Sequence, residues 1–253
     1  MKVAVLAGGQ GTRLAEETRV KSKAMVRIGD APILWHLLKY YEHYGHTRFV
    51  IALGYHGDSI KDYFTGLGAR TAPASDGPRT TVWPKAEPRW TVELIDTGLE
   101  TMSGGRIKRL APYLDEGPFM LTWCDGLADV DLGALSAFHE AHGRLATLSA
   151  VHPPARFGRL DLDGDRVTAF REKEVDRDEW INGAFFVLDP RVMAYIAGDD
   201  TQFEREPLSR LAAAGELAGR RHGGFWQCMD TLKEAQDLNR LWHDGRAPWK
   251  VWA

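Results

Sequence analysis

Apolar and polar positions alternate with two different periods along this chain, and the changes of period mark out its elements. It opens on "MKVAVLAGG", a β-branched run ended by glycines, which predicts a buried strand feeding a loop. "APILWHLLKYYEHYG" then repeats apolar residues at helical spacing and stops at Gly45, a residue type that ends helices well. "TRFVIALGY" predicts a second buried strand, and "HGDSIKDYF" a short helix begun near Asp58. Strand, helix and strand in succession predict a parallel sheet wrapped by helices. "TVELIDTG" and "FMLTWCDGL" resume the strand pattern; "VDLGALSAFHEAHG" predicts a helix and "ATLSAVH" the strand after it. "FGRLDLDGDRVTAFREK" alternates around a DGD turn and predicts a hairpin outside the parallel core. "GAFFVLDP" reads as a last strand, with helices over 203–215 and 231–244. Residues 66–90, rich in Gly, Pro and Ala with weak periodicity, predict an irregular arm. The expected architecture is one doubly wound α/β domain over 1–253, with a β-rich part at about 151–190 and a helical part at about 203–253.

Composition narrows the function. With 44% apolar residues in 253, the chain can bury a large core. A net charge of −3 and a pI near 6.3 carry no footprint of a nucleic-acid or membrane-surface binder. Cys124 and Cys228 lie far apart and form neither a CxxC pair nor a metal spacing. No apolar run approaches the roughly 18 residues of a membrane span. These features predict a soluble, cytoplasmic protein with neither a nucleic-acid nor a membrane partner.

Candidate chemistry concentrates after the first strand. Ligands of open α/β sheets sit where loops leave the carboxyl ends of the strands, and Gly8, Gly9 and Gly11 fall in such a loop. Glycines there let backbone N–H groups approach a phosphate or a base, and Arg13, Lys21 and Lys23 could neutralise phosphate oxygens. Taken alone, the GG pair fits a tight strand–helix turn with solvated lysines equally well. The spacing is neither G-x-G-x-x-G nor a P-loop.

The whole stretch "LAGGQGTRL…KSKAM" is more specific, and resembles the GxGxR-then-PK signature of the sugar-1-phosphate nucleotidylyltransferases. The similarity continues through "VIALGYHGDSIKDYF", "LIDTG", "GGRIKRL", "CDGLADVDL", "RFGRLDL", "REK", "INGAFFVLDP", "FWQCMDT" and "APWK". The ordered set resembles the glucose-1-phosphate cytidylyltransferase branch, which makes CDP-glucose and pyrophosphate from CTP and α-D-glucose 1-phosphate. That resemblance implies a Rossmann-like sheet, a Mg²⁺ cofactor and a homo-oligomer, typically a hexamer, with the 66–90 arm and the Trp-rich tail as candidate contact surfaces.

The same resemblance implies roles. Leu6, Ala7, Gly8, Gly9, Gly11 and Thr12 would surround the nucleotide, with Arg13 holding the departing phosphates and Lys23 meeting the reacting ones. Asp125 and Asp230 would hold the metal; read alone, each fits a cap or a turn. Arg106 would read cytosine, whose O2 and N3 acceptors match two parallel guanidinium donors, whereas uracil presents a proton at N3. Lys173, Glu172, Asn182 and Gly183 would take the sugar phosphate. Asp131 is expected to cap the following helix, and His139 and His142 lack the further ligands of a zinc site.

Two departures from the branch pattern fall in this set: Ser22 and Ala24 stand where prolines flank the loop lysine, and "WCDG" (Trp123–Gly126) stands where YGDG is usual. The missing prolines predict a loop over 10–24 that is looser without ligand, and the aromatic change leaves the acceptor sugar open. Another phosphorylated acceptor or NTP is the alternative. A non-catalytic homologue would be expected to lack Asp125, Asp230, Lys23 or Lys173, and all four are present.

Overall fold

A computed structural model of the chain describes residues 1–9, 11, 21–73, 79–155, 157–172 and 178–252. The first strand, β1 (Val3–Leu6), lies at the middle of a nine-stranded sheet. Its neighbours are β4 (Arg48–Leu53) and β8 (Phe119–Trp123), both parallel to it, so that Leu6 lies level with Ala52 and Trp123. β7 (Thr91–Asp96) extends the parallel set beyond β4. On the other side β13 (Ile181–Leu188) runs antiparallel to β8, followed by β10 (Ala146–Val151) and, parallel to β10, the edge strand β14 (Leu217–Arg221).

Alternation along β1 shows why the sheet is covered twice. Val3 and Val5 pack into one apolar cluster with Leu34, Leu37 and Leu38 of α1 (Ile33–His43), Ile60 of α2 (Gly57–Gly66) and Leu135 of α4 (Leu132–His142). Ala4 and Leu6 face the opposite cluster, with Ile107 of α3 (Ser103–Leu110) and Leu211 of α5 (Glu206–Ala213). A strand buried on both faces reads as an unbroken apolar run, as "VAVL" does. The expected doubly wound, mostly parallel sheet is present. Asp131 caps α4, accepting from the Ala134 N–H at 2.8 Å. His139 and His142 both share the Thr147 hydroxyl of β10, at 2.9 and 2.7 Å, which ties α4 to the sheet.

The stretch read as an irregular arm instead carries two strands. β5 (Arg70–Pro73) and β6 (Arg79–Trp83) pair antiparallel and extend the sheet onto β7. Of β6 only Val82 is buried, and a strand with one buried position at a sheet edge leaves little periodicity to read. Two further strands lie in the part read as helical: β14 and the short β15 (Trp226–Cys228), which pairs with β9 (Gly126–Ala128). The predicted DGD hairpin is present as β11 (Arg159–Asp163) and β12 (Arg166–Arg171) and belongs to none of the apolar clusters.

The Trp-rich tail is anchored to its own chain through Trp249. Trp249 is fully buried, and with Leu238 of α6 (Leu232–His243) it closes a third cluster over Ile33 and over Ile28 of β2 (Arg27–Ile28), which pairs antiparallel with β3 (Ala31–Pro32). Its centre is His36, fully buried and ringed edge-on by Trp35, Trp242 and Trp249. His36 Nε2 bonds the Ile28 carbonyl at 2.8 Å and Nδ1 accepts from Trp249 Nε1 at 3.4 Å, an arrangement that fixes the neutral tautomer. Burial lowers the imidazole pKa from 6.5 to about 4. Between those values the unfolded chain binds a proton that the folded one refuses. Stability should therefore be full above about pH 6.5 and fall towards pH 4, by on the order of 3 kcal/mol from this group. His46, half-buried beside the N-terminal ammonium and also lowered to about 4, acts in the same direction. Urea unfolding from pH 7.5 to 4 should show the slope, and His36→Gln should flatten part of it; an unchanged slope would assign it to other groups.

Candidate active site

The carboxyl ends of β1 and β8 open onto a cavity of about 430 Å³. Its floor is Leu6, Ala7, Gly8, Gly9 and Gly11; Lys23, Trp123, Cys124, Asp125 and Asp230 form one wall, and Leu99–Ser103 with Arg106 the other.

Two aspartates far apart in sequence meet here because of the small β9–β15 ladder. Gly126 faces Cys228 across it, and Met229 N–H donates to the Asp125 carbonyl at 2.8 Å, which brings Asp230 beside Asp125. Asp230 immediately precedes the capping box of α6. Its N–H and that of Thr231 donate to Glu234 Oε2 at 2.7 and 2.9 Å, fixing the backbone from which the carboxylate projects. Lys23 completes the cluster, with Nζ 2.7 Å from Asp125 Oδ2 and 2.7 Å from Asp230 Oδ1. Burial alone would lower its pKa, but the two carboxylates raise it above the ordinary value, so the ammonium stays charged. Cys124 and Cys228 flank the pair as thiols, each pushed up to about 12 by burial, and are not nucleophiles at neutral pH.

Lys23 leaves a short turn, Lys23–Met25, whose cap explains how the chain does without prolines. Ser22 is 2% exposed; its Oγ accepts from Ala24 N–H and donates to the Ala7 carbonyl, while its N–H donates to Ser59 Oγ at 3.0 Å. Its φ of −58° would suit proline, but proline would remove the bond to Ser59. The lysine end of the loop is thus pinned by hydrogen bonds. Residues 10 and 12–20, where the looser loop was expected, lie outside the described residues.

The wall opposite is built by Arg106. Its guanidinium, 4% exposed with its residue, donates from Nη1 to the Leu53 carbonyl, Thr97 Oγ1 and the Gly98 carbonyl, and from Nη2 to the Leu99 carbonyl. These bonds shape the 97–99 turn and leave Nε–H and one Nη2–H without a protein acceptor among the described residues. The two glycines before it serve packing: a Cβ at Gly104 would come 2.7 Å from the Thr201 carbonyl, and one at Gly105 2.6 Å from that of Asp199.

Gly8 and Gly9 then divide. A Cβ on Gly8 would collide with the Arg106 guanidinium, whereas one on Gly9 meets nothing within 4 Å. Gly8→Ala should therefore destabilise the fold, by about 1–3 kcal/mol, and Gly9→Ala should leave the melting temperature unchanged while weakening nucleotide binding. Thermal melts and a nucleotide titration check the pair; a Gly9→Ala protein that binds as wild type would mean that no ligand passes close to that position.

Nine of the site residues expected from sequence therefore line one cavity: Leu6, Ala7, Gly8, Gly9, Gly11, Lys23, Arg106, Asp125 and Asp230. Thr12, Arg13 and Lys173 lie outside the described residues. Glu172 is exposed just beyond β12. Asn182 and Gly183 do not line the cavity but begin β13, which, being antiparallel to β8, places them at the same edge of the sheet. Asn182 Oδ1 accepts from Ala184 N–H at 2.8 Å, and the Gly183 carbonyl accepts from Trp226 Nε1 at 2.8 Å. Sequence reasoning missed Leu99–Ser103; the signal was a pair of large apolar residues, Leu99 and Met102, just before "SGGR", and both are exposed at the cavity.

Residues 2–222 match the family model described as nucleotidyl transferase. The chain belongs to the nucleotidyl transferase family. Among curated nucleotidyl transferases, it is 48% identical to a glucose-1-phosphate cytidylyltransferase of Salmonella typhi over 257 residues, covering all of both chains. It is 40% identical to a probable glucose-1-phosphate cytidylyltransferase of Bacillus subtilis over 258 residues, again along the full length of both. In fold it is similar to HddC from Yersinia pseudotuberculosis, with a TM-score of 0.71 and 22% identity, covering 95% of this chain and 99% of that one. It is likewise similar to a UDP-glucose pyrophosphorylase complexed with UDP-glucose (TM-score 0.71, 14% identity, 97% and 99% covered). The Rossmann-like nucleotidyltransferase fold is thus shared at identities where only the fold can be compared.

Proposed function

We propose that this protein transfers CMP from CTP to α-D-glucose 1-phosphate, giving CDP-glucose and pyrophosphate. The observation that carries the reading is the meeting of Lys23, Asp125 and Asp230 at the mouth of the glycine floor, in a chain with full-length similarity to glucose-1-phosphate cytidylyltransferases. Backbone N–H groups of Leu6–Gly11 and the Arg106 edge hold the nucleotide, and Lys23 draws the α-phosphate and the attacking phosphate together. Lys173, Glu172, Asn182 and Gly183, near the same edge of the sheet, hold the acceptor, and Arg13 the departing phosphates.

The donor set fits a hard divalent cation: two carboxylate oxygens converge on one cationic atom, and substrate phosphate and water would complete the shell. Among the described residues no group of three or more His, Cys, Asp or Glu is placed to hold a metal, so the protein's share is this pair. Asp125 and Asp230 would hold Mg²⁺, which when bound supplies neutralisation of the charge on the α-phosphate.

The chain works in this reading as a single domain, in the cytoplasm and as a homo-oligomer; no helix among the described residues is long and apolar enough to cross a membrane. Support for assembly comes from the β11–β12 hairpin, where Leu160 faces Phe170 and Leu162 faces Val167, all exposed, beside Phe157 at 81% exposure. An isolated two-stranded hairpin is marginal in water, and a second copy would cover that face. A second reading, with another sugar 1-phosphate as acceptor, is favoured by Trp123, whose indole stands at the cavity wall against Phe186 at 5.5 Å. Pyrophosphate release from each NTP, crossed with several sugar 1-phosphates and with or without Mg²⁺, decides between them. CTP with glucose 1-phosphate should give the highest kcat/KM; preference for another acceptor would select the second reading, and no release from any pair would remove both.

A further inference from the structure

Lys23 Nζ stands at one point within 2.7 Å of an oxygen from each candidate metal ligand, Asp125 and Asp230. It is a buried side chain, projecting from a turn tied to Ala7 and Ser59, and not a surface lysine reaching in from solvent. A divalent cation that coordinates those same two oxygens needs the point that the ammonium holds, and like charge forbids sharing it. Charge counting sharpens the conflict. Two carboxylates match one divalent cation, which leaves the Lys23 charge unmatched inside a protein wall. The phosphates of a nucleotide lying over Gly8, Gly9 and Gly11 would match it, because Lys23 lines the same cavity.

We propose that Lys23 is a resident counter-cation that gates the metal position: the metal enters only as Lys23 leaves, and nucleotide phosphates are what draw Lys23 out. This rests on the assignment of Asp125 and Asp230 as the metal pair. Metal alone then binds weakly, and metal and nucleotide strengthen one another's binding by the same factor, as linkage requires.

The test uses Mn²⁺ as probe, titrated by electron paramagnetic resonance into nucleotide-free protein. Lys23→Met should bind Mn²⁺ about tenfold or more tightly than wild type, although it removes a residue that the reaction needs. Equal affinity in wild type and Lys23→Met, with both losing Mn²⁺ on Asp230→Asn, overturns the gate and leaves the metal pair standing. Tight Mn²⁺ binding that survives both Asp125→Asn and Asp230→Asn in the Lys23→Met protein removes the metal pair, and the gate with it. Should Lys23→Met fail to fold, the wild type decides. Acetylation of Lys23 by acetic anhydride, followed by mass spectrometry, should speed up several-fold as Mg²⁺ is raised to saturation, compared with NaCl at matched ionic strength. An unchanged rate overturns the gate.

Discussion

Asp125→Asn and Asp230→Asn should each lower kcat at least about a hundredfold while leaving the fold intact. The reason for the intact fold is local. The Asp125 backbone is held by β9 and by the bond from Met229, and the Asp230 backbone by Glu234, so neither carboxylate is needed to place its own main chain. Charge points the same way: Lys23 faces two carboxylates, and neutralising one leaves a balanced pair rather than an orphaned ion. Asparagine matches the shape, so cavity terms are small. The loss therefore falls on the charged transition state. A steady-state comparison should show kcat reduced and KM for CTP changed far less. Either variant turning over near the wild-type rate would take that aspartate out of the metal position.

How much of this could be read from the chain follows from how locally each feature is determined. Strands buried on both faces, such as "VAVL" and "RFVIAL", and helices with one apolar stripe, such as α1, declare themselves through their own residues. β5, β6, β14 and β15 do not, because a short or edge strand buries few of its side chains and borrows its order from the neighbour it pairs with. The site splits in the same way. Lys23, Asp125, Asp230 and the glycine floor were legible because they sit in an ordered set of motifs that resembles one branch. Their reasons were not. Gly8 reads as room for a phosphate, but the atoms that forbid a side chain there belong to Arg106, some hundred residues along the chain. Ser22 reads as a lost proline, yet its hydroxyl and N–H pin the turn through Ala7 and Ser59. Such constraints are contacts between separate elements, and the local pattern around either partner carries no sign of the other.

Arg106→Ala is expected to damage stability and specificity together, and Arg106→Lys to separate them. Removing the guanidinium strips donors from the buried Thr97 hydroxyl, the half-buried Gly98 carbonyl and the exposed Leu99 carbonyl, and opens space beside Gly8 and Gly54, while the Leu53 carbonyl keeps the N–H and hydroxyl of Thr97. One or two acceptors there lose a partner out of reach of bulk water, at about 1–2 kcal/mol each, so a loss of about 1–3 kcal/mol is expected for Ala. Lysine keeps the charge and one or two of these bonds, and should recover about half of that. It cannot recover a fork: the ammonium is a point donor, whereas in the proposed reading the Arg106 edge of Nε–H and the second Nη2–H would offer two parallel donors to the O2 and N3 acceptors of cytosine. The lead of CTP over UTP in kcat/KM should therefore shrink by about tenfold in both variants, although only Ala unfolds easily. Denaturant unfolding gives the first quantity and the NTP panel the second. If Arg106→Lys keeps the full preference for CTP, the base is read by main-chain groups of the glycine floor, and Arg106 serves only to hold the 97–99 turn against it.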